Sequence, residues 1–136
     1  SGLVRLLHDV EDALGETGGL HLISSVDERR FVEVVGEEIF SILENHRRLG
    51  IFDRVLVRKG DNYFISLDDS YRWVPEEMFH QVPYMVYGDR YAIILWEPEI
   101  KVVIIENPQI ADSYRQQFQV AWDNAEVPDL SAPTSD

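Results

Sequence analysis

Apolar positions three and four apart, at Leu3, Leu6, Leu7, Val10 and Leu14, predict a helix over about residues 3–15, which Gly15, Gly18 and Gly19 close. Leu20 to Ser24 is short and apolar after a glycine pair and reads as a strand. Phe31, Val34, Val35, Ile39, Ile42, Leu43 and His46 then mark one face of a single long helix, with Glu33, Glu37, Glu38 and Glu44 largely off it. Arg47 and Arg48 complement its dipole and Gly50 ends it.

Arg54 to Arg58 is expected to complete a β-α-β unit with the first strand. Gly60-Asp61-Asn62 reads as a turn and Tyr63 to Leu67 as a short strand or edge segment. A loop at Asp68-Asp69-Ser70 follows, then a strand from Tyr71 to Val74. Glu76-Glu77 opens a helical turn, where acids suit the N-terminus. Gly88-Asp89, between Pro83–Tyr87 and Arg90–Trp96, has the form of a type II′ hairpin turn, which wants glycine first. Lys101 to Ile105 is nearly all β-branched and reads as a strand covered on both faces. Asn107-Pro108 starts a last helix, because the Asn side chain can accept from an orphan N–H and proline has none to waste. The stripe Ile110, Tyr114, Phe118, Ala121 and Trp122 packs that helix on the sheet. Residues 127–136 have little to bury and are expected to form a flexible tail.

The fold class expected is therefore α/β, a mixed β-sheet flanked by helices, with residues 1–126 as one domain. A chain of 136 residues is large enough for one core without staples. Its 25 acidic residues against 12 basic ones give a net charge of -13, which repels phosphate backbones and anionic lipid. No cysteine is present, so disulfides and thiolate chemistry are excluded. No apolar run reaches the roughly 20 residues needed to span a bilayer, and no charged-then-apolar leader opens the chain. The expected setting is cytoplasmic, with no membrane partner.

Candidate chemistry is sparse. His8, His21, His46 and His80 stand at no metal-ligand spacing, so no metal or cofactor is expected. No phosphate-binding GxxxxGK[ST] loop occurs either. Ser24-Ser25 falls at the C-terminal end of a strand beside a helix start, where open α/β sheets bind ligands, although a helix-capping serine explains it as well. Arg72, Trp73 and Trp96 sit on or at the end of strands, where aromatic residues serve as core or as ligand platforms.

The succession Leu22-Ile23-Ser24-Ser25, Arg47-Arg48-Leu49-Gly50-Ile51, Tyr71 to Glu77, Val86 to Trp96 and Ile104 to Asn107, with Ile110 to Arg115, Phe118 and Trp122, resembles the C-terminal domain of TrmB-type transcription regulators. That domain is similar to one half of a phospholipase D fold and normally follows a winged-helix DNA-binding domain. Phospholipase D enzymes carry His-x-Lys-x4-Asp, whose His attacks phosphorus and whose Lys neutralises phosphoryl charge. Begun at His80, the pattern meets Val82 and Tyr87; begun at His46, it meets Arg48 and Asp53 across a predicted helix end. The resemblance thus implies a non-catalytic effector-sensing or dimerisation module, working as a homodimer, with a possible small-molecule effector and with DNA reached only through a separate domain. A ligand site is expected around Ser24, Ser25, Arg72, Trp73, His80 and Tyr87. A degenerate phospholipase D-like protein-interaction module, and a phosphodiesterase, are the alternatives.

Overall fold

The computed structural model describes residues 1–131. Helix α1 (Gly2–Leu14) leads into β1 (Gly19–Ser24), α2 (Glu28–Val35), α3 (Glu38–Arg48), β2 (Ile51–Arg58), β3 (Tyr71–Val74), β4 (Tyr84–Tyr87), β5 (Arg90–Leu95), β6 (Lys101–Glu106) and α4 (Pro108–Asn124). The strands form one mixed sheet in the order β3-β2-β1-β4-β5-β6, in which β1, β2 and β3 run parallel and the β4–β5–β6 meander joins β1 antiparallel. The α/β class with helices flanking a mixed sheet is as the sequence predicts. No helix among the described residues is long and apolar enough to cross a membrane.

Strand alternation sorts the core into two layers. On one face Ile23, Val55, Val57, Met85 and Ile94 meet Leu3, Leu6, Val10 and Phe31 of α1 and α2. On the other, Leu22, Leu56, Val74 and Val86 meet Ala111, Phe118 and Trp122 of α4, beside a stack of Tyr91 on Tyr114. Asn107 accepts from the Ile110 N–H, so the last helix is capped as the sequence indicates. At the hairpin Gly88 has φ 60 while Ser25 is the only non-glycine with positive φ among the described residues, which leaves Asp89 negative and fits the type II′ turn.

Three expectations change. The long helix is two helices, broken at Gly36, whose φ of 78 and ψ of -163 lie outside what an L-residue adopts readily. Apolar periodicity runs through the break because α2 and α3 bury adjacent stripes. Tyr63 to Leu67 is not a strand: the N–H groups of Ile65 and Ser66 donate to the Tyr71 hydroxyl, and Phe64 stacks on the Tyr71 ring at 3.8 Å. Strand β6 is not covered on both faces but lies at the sheet edge, with Val103, Ile104 and Ile105 36–41% exposed. At the opposite edge, Trp73 and Glu126 exchange backbone hydrogen bonds of 2.8 and 3.0 Å. The tail expected over 127–136 falls in part on residues outside the described ones.

Candidate functional site

A cleft of about 400 Å3, within the range that holds small molecules, opens at the C-terminal ends of β1, β2 and β5. Topology explains its make-up. Strand β5 runs in the direction of β1, so Leu95 and Trp96 arrive at the same end of the sheet as Ser25 and Arg58.

Ser25 anchors the floor. Its backbone is left-handed, with φ 67, its N–H donates to the Leu56 carbonyl at 3.1 Å, and its hydroxyl accepts from the His80 N–H at 3.1 Å. A left-handed serine is strained, and the two bonds hold it there. Asp27 follows as the cap of α2, accepting from the Arg29 N–H. Two guanidinium groups form the walls. Arg30 lies 4.3 Å over the Trp96 ring and 3.9 Å from Glu97; Arg58 lies 4.0 Å over the Phe79 ring and donates to Glu76 at 2.9 Å. Each guanidinium sits over an aromatic face, which restrains it, and directs N–H groups to a carboxylate. The paired carboxylates, Glu76 and Glu97, are 72% and 85% exposed, so these ion pairs are weak and an incoming anion can displace them.

The six residues expected at a ligand site divide. Ser25 lines the cleft, Ser24 lies beneath it with hydroxyls 3.4 Å apart, and His80 adjoins through its backbone while its side chain is exposed. Arg72 is on the α4 face, stacked 4.4 Å over Trp122 and bonded to the Trp122 carbonyl. Trp73 is a core residue whose indole N–H donates to the Asp61 carbonyl. Tyr87 ends β4, which runs opposite to β1, so it lies at the far end of the sheet and donates to Asp9 at 2.9 Å. Burial and Asp9 together push the Tyr87 phenol above its ordinary value. The sequence pointed to the right end of the sheet but missed Arg30, Arg58 and Phe79. An arginine two or three residues beyond a capping aspartate, and another at a parallel strand's end, were the available signals.

A second polar cluster lies buried under α1 and α3. His21 Nδ1 is 3.2 Å from Asp53 Oδ1, off the line of a directed hydrogen bond, and His46 Nε2 is 3.1 Å from the Leu7 carbonyl and 3.3 Å from Glu11. Burial pushes the Asp53 carboxyl up, but the adjacent His21, the Ser66 hydroxyl and His46 hold it below its ordinary value. Burial and the nearness of His21 lower His46. Nearby, burial raises the Glu28 carboxyl to about 8, although the Tyr71 hydroxyl donates to it.

Fold and cleft together define an α/β domain with a ligand-sized opening at its strand ends. No protein-family model matches the sequence, and no curated protein does. Among solved structures, TrmBL2, an archaeal chromatin protein with a novel mode of DNA binding, superposes with a TM-score of 0.62 at 13% identity, over 93% of this chain and 50% of its own. The two share a fold, and this chain spans half the length of TrmBL2.

Proposed function

We propose that this chain is a non-catalytic effector-sensing domain of a transcription regulator, that it acts as a homodimer, and that its DNA-binding part lies outside these residues. The observation that carries the reading is the shared fold with half of a DNA-binding protein, in a chain whose own net charge of -13 opposes DNA. The cleft supplies a place for an effector, and its two stacked guanidiniums favour a small molecule with a carboxylate or phosphate group. Occupancy would pull α2, through Arg30, toward Arg58, and so bias how an attached reader is held.

Thermal-shift measurements against inorganic phosphate, sulfate and small di- and tricarboxylates test the cleft. The expected result is a concentration-dependent rise in Tm that Arg30→Ala and Arg58→Ala each reduce at least tenfold in apparent affinity. No shift with any of these anions, or a shift that survives both substitutions, rejects an anionic effector here. Anisotropy with labelled duplex DNA tests the other half: the chain alone should not bind at 50 mM salt, and binding there would sink the assignment of DNA recognition to another domain.

A further inference from the structure

Hydrogen-bond parity along the meander identifies what β6 leaves unpaired. The Asn107 N–H donates to the Asp89 carbonyl, and β5 pairs with β6 in the register Tyr91↔Ile105, Ile93↔Val103 and Leu95↔Lys101. Bonded pairs alternate along an antiparallel ladder, so the odd-numbered residues of β6 bond to β5. The N–H and C=O of Val102, Ile104 and Glu106 therefore point outward. From the β4 side, Ile94 N–H donates to Pro83, which turns the even residues of β5 toward β4 and agrees with this assignment.

We infer that β6 is the surface on which two copies of this chain pair, edge to edge and antiparallel, about a two-fold axis at Ile104. A two-fold axis normal to a sheet can set only residues of the same face against each other, so it must pass through a residue. At Ile104 it uses every outward group: Ile104 bonds its equivalent, and Val102 and Glu106 bond each other twice, for six hydrogen bonds in all. No other centre on the strand uses all three residues. Side chains agree with backbone. Val103 meets Ile105 on the α4 face, Ile104 meets its equivalent on the other face, and all three are exposed in the single chain.

Three observations favour a second copy over another occupant. Lys101 and Glu106 bracket the strand, so antiparallel self-pairing brings the basic end of one strand beside the acidic end of the other, where parallel pairing would set like with like. The described C-terminal segment is engaged at β3, the far edge, through Glu126. A groove of about 440 Å3 between Gly2, Arg5 and Leu6 of α1 and residues 101–104 leaves room beside the axis for the second set of side chains. Six residues of edge place the contact below about 1,200 Å2, the small end of specific interfaces, so assembly should depend on concentration. This inference rests on the homodimer reading above and gives it a surface, and it holds whether or not the cleft binds an effector.

Sedimentation velocity across micromolar to millimolar concentration should show a monomer–dimer equilibrium, which Ile104→Lys weakens at least tenfold by placing like charges on the axis, with circular dichroism confirming the fold. Because the chain has no cysteine, Ile104→Cys gives an independent readout. A bonded antiparallel pair holds its Cα atoms about 5.5 Å apart, within disulfide reach. Oxidative dimerisation should therefore be much faster at Ile104→Cys than at Phe40→Cys, an exposed position on α3. A chain monomeric at every concentration, a dimer that persists in folded Ile104→Lys, or equal cross-linking at the two cysteine positions overturns the proposal.

Discussion

At one edge of the sheet β3 offers four residues, and Glu126 returns to bond Trp73 in both directions while Lys59 reaches Glu126 at 3.2 Å. At the other edge β6 offers six residues, four of them apolar, and nothing among the described residues lies across it. Unpaired edges template further pairing unless they are short, covered or charged. The β3 edge is short and covered. The β6 edge is bracketed by charge but open between, so one end of the sheet is closed within the chain and the other is left available for pairing.

Substitutions can break this contrast at β3 first. Trp73→Ala removes a core indole and its bond to Asp61, and should cost about 3–5 kcal/mol of unfolding free energy in urea. A smaller change would mean that Glu126, not the indole, holds the strand. Ending the chain at Asn124 removes the Glu126 bridge and should cost about 2 kcal/mol, from two net backbone hydrogen bonds. It should also add association through β3, seen as species larger than a dimer in sedimentation; a truncated chain that behaves like the parent would show the cover to be idle.

Glu28 ties the start of β3 to α2 and makes that edge pH-dependent. Its carboxyl rises from an ordinary 4.5 to about 8 in the fold, mainly by burial, so the folded state binds the extra proton between those values. Stability from this group is present below about pH 4.5 and is lost as pH rises toward 8. Glu28→Gln should therefore gain on the parent by about 1 kcal/mol or more between pH 5 and pH 9, measured by urea unfolding. Parallel pH profiles for the two proteins would contradict this. The smallest effect belongs to β6: Ile104→Lys should change monomer stability by less than about 0.5 kcal/mol, since Ile104 is 40% exposed. A loss of several kcal/mol there would mean that the side chain is structural.

What the sequence made legible was local. Asn107-Pro108 and Gly88-Asp89 carry their reasons within four residues, and both stand as expected. The break at Gly36 was hidden because one glycine inside a helical pattern costs only about 1 kcal/mol and leaves the apolar period intact. Lys101 to Ile105 looked like a strand covered on both faces because apolar residues alternate onto both sides, a pattern that does not reveal a strand's place in the sheet. In the site, Ser25 was legible from its position after a strand. Arg72, Trp73 and Tyr87 were not separable from it, since the face of Arg72 and the direction of β4 depend on register with distant strands.

The open strand carries a further consequence for how this protein survives in concentrated solution. Val102 to Ile105 is a short run of β-branched, uncharged residues without proline or glycine, the kind of sequence that favours strand addition at an open edge. Lys101 and Glu106 flank it as gatekeepers, and mutual repulsion from a charge of -13 keeps neighbouring molecules apart near neutral pH. That repulsion vanishes near the isoelectric point of about 4.5. There an exposed apolar edge has less charge repulsion opposing association, and acidifying a concentrated solution toward that pH is expected to raise its turbidity.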